Sequence, residues 1–278
     1  MGMEIPLFQG LSLKINDATP SGRNGYPTAR LQKGLILLDH GQELAEEAVG
    51  FGVPVLKKGL HSIFPGSVKL TVLPGGSIWE ITALFRLNLV EKISRGGNKD
   101  VENRLLYSSK NLSAAIIRNL PVLRGLLTAI SNRLRRMFHW ETAYATAGYS
   151  TELMVYYRIQ PETGMVNVKI DASTLPPEIT EVALMNEQGA RTFDRYQDSS
   201  GTSLQGGEIG CWDEVNASQA WFENASRGIA FRLGQVKGAR LYRGRELVGD
   251  RLAWAGFGYS FKPSMQGFSY AIKIEKRT

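Results

Sequence analysis

Three carboxylates near residue 200 have the residue type needed for acid–base chemistry: Asp194, Glu208 and Asp213. They belong to a polar, glycine-rich stretch that runs from Glu187 to Glu214. Paired carboxylates on a β scaffold can serve as general acid and general base on a sugar. We therefore take these three residues as the catalytic candidates. The alternative is that they are solvated carboxylates in a surface loop.

A strand near the C-terminal end has the composition of a ligand platform. Trp254 alternates there with Gly256 and Gly258, and glycines beside a tryptophan leave a shallow, flat floor. A sugar ring or another planar molecule stacks on a flat aromatic surface. The predicted ligand-binding residues are Trp212, Trp254 and Tyr259. The alternative is that the aromatic rings fill the core and the glycines mark close packing of the sheet.

Several other kinds of chemistry lack their usual residues. The chain has one cysteine, Cys211, and three histidines, which is too few for an internal disulfide or a confident metal site. A phosphate-binding loop, a dinucleotide fingerprint and a Gly-x-Ser-x-Gly elbow are all missing from the sequence. We predict no metal and no cofactor, and whether the protein is an enzyme stays open.

The net charge of +7 comes from one segment. Seven of the 33 Lys and Arg residues lie between positions 103 and 140, a range without Asp or Glu. The remaining chain holds 26 basic and 26 acidic residues and is neutral. A general coating of nucleic acid is therefore disfavoured, and the question that stays open is whether this segment binds a local anionic partner.

Residues 102–140 carry the clearest helical pattern. Apolar residues follow one another at helical spacing from Leu112 to Met137, with arginines on the opposite side. One interpretation is a basic amphipathic helix, near 112–138, that lies on an anionic membrane surface. A second is a helix whose apolar stripe packs on the sheet or docks a partner chain, and a third is a helix whose arginines bind the phosphates of a nucleic-acid backbone or another polyanion. The predicted anion-binding residues are Arg118, Arg124, Arg133, Arg135 and Arg136.

Most other segments alternate with the period of a β-strand. Ile78 to Leu89 places apolar residues at every second position and pairs with Val68 to Val72 in a predicted hairpin. Residues 154–160 and 165–170 flank a four-residue turn and predict a second hairpin. Further short strands punctuated by glycine extend to the C-terminal end.

The fold prediction is a mainly β protein of the α+β class. We expect one domain over residues 1–278, built as a large antiparallel β-sandwich or barrel-like sheet with a helical insertion at 102–140. Residues 1–34 are expected to be irregular, because turn-forming residues cluster from Pro20 to Pro27. A short acidic helix is expected at 43–49, and a long loop at 198–207.

The functional prediction is a β-rich ligand-binding protein whose ligand is a carbohydrate or a similar polar, planar molecule. A sugar-modifying enzyme is the catalytic version of this prediction. A peripheral membrane protein and a non-catalytic structural subunit are the alternatives. The first residues lack the features of a signal peptide, so we expect a cytoplasmic protein that has the membrane surface as an alternative partner. The oligomeric state stays open.

Overall fold

The computed structural model describes residues 2–17, 34–59, 61–95, 141–248, 252–265 and 267–277. The chain divides into two compact units, of which the first comprises Met1–Val90 and Thr146–Thr278. The second unit is Glu91–Ala145, and most of its residues lie outside the described ranges. The predicted helix at 102–140, with the five predicted anion-binding arginines, also lies outside the described residues.

The described residues form 18 strands. Their bounds are β1 Gly2–Pro6, β2 Leu11–Asn16, β3 Ile36–Asp39, β4 Gln42–Glu43, β5 Gly50–Lys58, β6 His61–Gly75, β7 Ile78–Arg95, β8 Glu141–Gln160, β9 Met165–Asp171, β10 Glu181–Gln188, β11 Arg195–Asp198, β12 Ser203–Gln205, β13 Cys211–Glu214, β14 Gln219–Asn224, β15 Ile229–Gly234, β16 Arg240–Val248, β17 Leu252–Phe261 and β18 Gly267–Lys276.

Fourteen of these strands form one sheet in the order β12-β11-β14-β15-β18-β9-β8-β7-β6-β5-β10-β17-β16-β13. Strands β1 to β4 form a second, four-stranded sheet. The prediction of a mainly β protein with a large antiparallel sheet is confirmed. The described part of the chain contains no helix with the length and apolar character needed to cross a lipid bilayer.

The large sheet folds back on itself, and its two halves meet in an aromatic core. Phe231 of β15 makes edge contacts with Phe51 of β5 and Phe257 of β17, at ring-centroid distances of 5.2 and 5.9 Å. Tyr259 of β17 contacts Tyr270 of β18 at 4.7 Å. Because these strands lie far apart in the order of the sheet, the contacts define a β-sandwich.

A short segment closes the two free edges of the large sheet. The edge strands β12 and β13 are joined by a single 3₁₀ turn, Gly206–Ile209. The backbone N–H of Gly206 donates to Asp194 O at 2.8 Å, and that of Arg245 donates to Gly210 O at 2.9 Å. Short strands joined in this way leave little open edge for pairing with another chain.

Both hairpins predicted from the alternation are present. Strands β6 and β7 pair antiparallel, and Ile81, Phe85 and Leu87 of the predicted apolar face are buried. Strands β8 and β9 pair around the turn at Pro161–Gly164. In each hairpin the apolar face packs in the core, which leaves the polar face of β8 and β9 toward solvent.

Three local expectations were wrong. Residues 1–34 are not irregular throughout, because β1 and β2 form there, with Leu11 and Leu13 buried. The acidic helix at 43–49 does not form: β4 ends at Glu43, and Glu46 has a φ of 52°. Residues 198–207 make a hairpin of β11 and β12 instead of a long loop. Its turn is held by Asp198, which accepts hydrogen bonds from the backbone N–H groups of Ser200 and Thr202 at 2.9 and 3.3 Å.

Candidate functional site

One candidate site is a cleft of about 1020 Å³ on the face of the large sheet opposite the core. It lies across β7, β8, β9 and β18 and reaches β6 at its rim. Strand alternation turns most apolar side chains of these strands toward the core, so the side chains on the outer face beside the cleft are mainly polar. The polar and aromatic side chains that line it are Glu80, Thr82, Tyr156, Arg158, Asn167, Lys169, Asp171, Ser173 and Ser269.

Cross-strand pairing arranges these side chains in rows. Lys169 of β9 pairs with Tyr156 of β8 on one side and with Ser269 of β18 on the other. In the next row, Asn167 pairs with Arg158. Directly paired residues have Cβ atoms roughly 5 Å apart, and a row repeats after roughly 7 Å along a strand. The pairing therefore places several hydrogen-bonding side chains next to one another across the cleft.

Tyr156 supplies an aromatic surface at the centre of the cleft. Its side chain is half-buried, and its hydroxyl lies 3.5 Å from Sδ of Met154. Because Met154 lies two residues earlier on the same face, the ring leans along the strand. A tyrosine ring that lies over a sheet offers one face to a ligand, and sugars stack on such a face.

The charged groups of the cleft are only partly paired with one another. Nε of Arg158 lies 3.8 Å from Oε1 of Glu80, and both side chains are more than half exposed. Asp171 accepts a hydrogen bond from the backbone N–H of Ser173 at 2.9 Å. Hydrogen bonds from the side chain and backbone of Ser173 hold the pKa of Asp171 below its usual value, so this carboxylate is charged at neutral pH.

The two carboxylates of the cleft are too far apart to act as a glycosidase pair. Glu80 lies on β7 beside Arg158 of β8. Arg158 pairs with Asn167 of β9, and Asp171 lies four residues further along β9. Two strand spacings and four residues correspond to roughly 15 Å. Hydrolysis by two carboxylates needs a separation of about 5 to 9.5 Å. Glu80 and Asp171 therefore do not form such a pair.

Two of the predicted acid–base residues lie together beside the sheet edge. Nε2 of Gln205 lies 3.4 Å from Oδ2 of Asp194, and the backbone N–H of Gln205 donates to Oε2 of Glu208 at 3.2 Å. Glu208 thereby caps the 3₁₀ turn that joins β12 to β13. Asp213 lies on β13, 54% exposed, with Oδ2 3.9 Å from Nη2 of Arg243. Their catalytic roles stay a prediction.

The predicted tryptophan platform is covered by a residue of the same chain. Trp212 stacks on Trp254 with ring centroids 4.7 Å apart and planes inclined by 18°. A Cβ built on Gly258 would lie 3.0 Å from the Trp212 ring, and one on Gly244 would lie 2.8 Å from the Trp254 ring. Of the two predicted floor glycines, Gly258 lies against the Trp212 ring, whereas Gly256 lies against the backbone of Asn186 and Glu187, which is the close sheet packing of the alternative interpretation.

Tyr259, the third predicted platform residue, lies on the other face of β17 and is 1% exposed. Its hydroxyl donates to the backbone carbonyl of Gly234, and its ring packs against Phe268 at 5.4 Å. A ligand on the Trp254 face cannot reach Tyr259 without opening the core. Trp254 is itself only 6% exposed and is stacked against Trp212, so Trp212 is the predicted platform residue that a ligand on this face can reach.

A buried carboxylate lies near this face. Glu187 of β10 pairs with Gly256 of β17 and is 7% exposed. Its Oε2 accepts a long hydrogen bond of 3.4 Å from the backbone N–H of Val49. Burial raises the pKa of Glu187 to about 7, and the negative charge of Glu246 adds to the increase. Glu187 is thus a titratable group near neutral pH.

A metal centre is not evident in the part of the chain that the structure describes. There, no three His, Cys, Asp or Glu side chains lie close enough together to hold a metal ion.

The cleft itself was missed by sequence reasoning. The sequence feature that belongs to the cleft is the polar face of residues 154–160 and 165–170. Sequence alone cannot distinguish this face from an ordinary solvated strand face, because the cleft depends on the pairing of β18 with β9.

Comparisons with known proteins support the fold and show no specific function. No protein-family model matches the sequence, and no curated protein matches it. The structure resembles part of the α-N-acetylgalactosaminidase NagBb from Bifidobacterium bifidum in complex with GalNAc, with a TM-score of 0.52 and 11% sequence identity. The Gal-NHAc-DNJ complex of that enzyme gives a TM-score of 0.51 and 10% identity. Each match covers 99% of this chain and 36% of the enzyme chain.

Proposed function

We propose that this protein binds carbohydrate in the cleft across β7, β8, β9 and β18, without a catalytic step at that site. The observation that carries the proposal is the arrangement of Tyr156, Lys169 and Ser269 in one row, with Asn167 and Arg158 in the next. An aromatic face surrounded by hydrogen-bonding side chains is the arrangement that recognises a sugar ring.

The fold is consistent with this proposal. The solved structure that it resembles in part is an enzyme whose title names GalNAc as its bound ligand. Because the match covers 36% of that enzyme's chain, a module that holds a sugar beside a separate catalytic unit is one setting for the present chain. Galactose, GalNAc and their oligosaccharides are therefore the first ligands to test.

The test is isothermal titration calorimetry of the full chain with galactose, GalNAc and a galactose tetrasaccharide. We expect binding to wild type and its loss in Tyr156→Ala, because the stacking surface is removed. Trp212→Ala is the matched aromatic control and should bind as wild type does. Loss of binding in Trp212→Ala with retention in Tyr156→Ala would contradict the cleft and favour the Trp212–Trp254 face.

The catalytic version of the function is a separate proposal. It assigns acid–base roles to Asp194, Glu208 and Asp213, of which the first two both contact Gln205. Hydrolysis of an aryl glycoside that falls in Asp194→Asn and Glu208→Gln would support it. No turnover of any tested glycoside by the wild-type chain would contradict it and leave binding as the function.

A further inference from the structure

We propose that the saccharide recognised in the cleft carries an anionic group, which is held jointly by Lys169 and Arg158. This inference rests on the proposed carbohydrate-binding function and adds the ligand's chemical class. The shared chemistry is a carboxylate or a sulfate on a sugar ring, as in a hexuronate or a sulfated hexose.

Lys169 and Arg158 occupy diagonal positions on neighbouring strands. Lys169 pairs directly with Tyr156, and Arg158 is the next residue of β8 on the same face. Such diagonal positions on neighbouring strands are roughly 7–8 Å apart, within reach of two long side chains. A guanidinium group can donate two parallel hydrogen bonds to a carboxylate, while an ammonium group binds as a point charge. In this proposal the two head groups reach one anion from their diagonal positions and form a cationic clamp.

Each cation has a nearby carboxylate with which a ligand anion must compete. Asp171 is held by its own turn, where the backbone N–H of Ser173 donates to it at 2.9 Å, and the positive charge of Lys169 helps to keep its pKa below the usual value. Glu80 lies 3.8 Å from Arg158, and its side chain is 60% exposed to solvent. A pair as loose and exposed as this one contributes little, so a ligand anion can replace Glu80 as the partner of Arg158.

The first experiment compares two ligands of equal length, a galacturonate tetrasaccharide and a neutral galactose tetrasaccharide, by calorimetry at low salt. We expect the acidic ligand to bind more tightly by roughly tenfold, and we expect added salt to remove most of the difference. Binding of a sulfated galactose tetrasaccharide, measured in the same way, distinguishes recognition of a sulfate from recognition of a carboxylate. Equal or tighter binding of the neutral ligand would overturn the inference and leave the proposed function intact, whereas no binding of any ligand would overturn both.

Charge variants test the clamp with opposite signs. Lys169→Gln should weaken acidic-ligand binding by roughly three- to tenfold and leave the neutral ligand unchanged. Glu80→Gln should strengthen acidic-ligand binding, because it removes the competing carboxylate beside Arg158. Lys237→Gln makes the same charge change in an exposed turn outside the cleft and should have no effect. Weaker acidic-ligand binding in Glu80→Gln would overturn the inference, since it would show that Glu80 contacts the ligand directly.

Discussion

The indole ring of Trp212 stacks on that of Trp254, with ring centroids 4.7 Å apart and planes inclined by 18°. Trp212 adopts this position with a φ of 60°, beside a register shift in the pairing of β13 with β16. A bulky residue with positive φ is strained, and such strain persists only where the surrounding packing compensates for it. The floor made by Gly244 and Gly258 provides that packing.

Loss of this stack should destabilise the edge of the sandwich. Trp212→Ala removes a half-buried ring pair, and we expect the free energy of unfolding to fall by about 2 kcal/mol. Trp212→Phe keeps an aromatic partner for Trp254 and should lose less than half as much. Urea unfolding followed by far-UV circular dichroism measures both changes. An alanine variant as stable as wild type would show that the stack contributes nothing.

Asn186 should be among the most sensitive buried polar residues. Its Oδ1 accepts hydrogen bonds from the backbone N–H of Gly52 at 3.0 Å and from Oη of Tyr270 at 2.7 Å. Asn186→Ala leaves two buried donors without their acceptor, for which we expect a loss of about 3 kcal/mol. Tyr270→Phe removes one donor and leaves Asn186 bonded to Gly52, so it should cost about 1 kcal/mol. The expectation fails if both variants unfold at the same urea concentration.

Glu187 should make stability fall as pH rises toward neutrality. Its pKa is raised from 4.5 to about 7 by burial, so the folded state holds a proton that the unfolded state releases in this window. The contribution is complete below pH 4.5 and is lost as pH rises through 7. Its size is about 3 kcal/mol.

Glu187→Gln provides the check, because glutamine stays neutral throughout that range. The difference in unfolding free energy between wild type and variant, measured at several pH values, should change by about that amount across the window. A difference that stays constant with pH would mean that the carboxyl group of Glu187 titrates normally.

Asp39 should have the opposite pH dependence. Burial alone would raise its pKa, but hydrogen bonds from Lys276 at 2.8 Å and Arg227 at 3.1 Å outweigh burial and hold the pKa below 3.8. The stabilisation is therefore present above pH 3.8 and is lost as pH falls through the lowered value.

Asp39→Asn at neutral pH leaves two cations beside a neutral amide, and we expect it to cost about 3 kcal/mol. The exposed ion pair between Glu43 and Lys14 supplies the comparison, with side chains 38% and 33% exposed. Glu43→Gln should change the unfolding free energy by less than about 1 kcal/mol. Equal effects of the two variants would contradict the importance of burial here.

Local periodicity was sufficient to predict several strands of this fold. The hairpins at β6–β7 and β8–β9 follow from alternation and a glycine turn, both of which act over a few residues. The strand β2 was missed because the turn-forming cluster at 20–27 masked the alternation of Leu11, Leu13 and Ile15. The helix predicted at 43–49 does not form because Glu46 has a positive φ, which helix propensity does not reveal.

The candidate sites depend on contacts that no local pattern contains. The cleft exists because β18 pairs with β9, which brings Ser269 beside Lys169 across a hundred residues of sequence. The stack of Trp212 on Trp254 likewise joins an edge strand to the interior of the sheet. The position of Gly258 on the Trp254 face was predictable from alternation alone, whereas the stacking of Trp212 on Trp254 was not.

The location of a bound sugar on the protein tests the central claim most directly. We would record backbone amide chemical shifts of the deuterated chain during titration with the galacturonate tetrasaccharide. The account predicts that the largest shifts map to Tyr156, Asn167, Lys169 and Ser269 on the cleft face of β8, β9 and β18. Shifts that cluster instead at Trp212, Gly244 and Trp254, with the cleft unchanged, would contradict it.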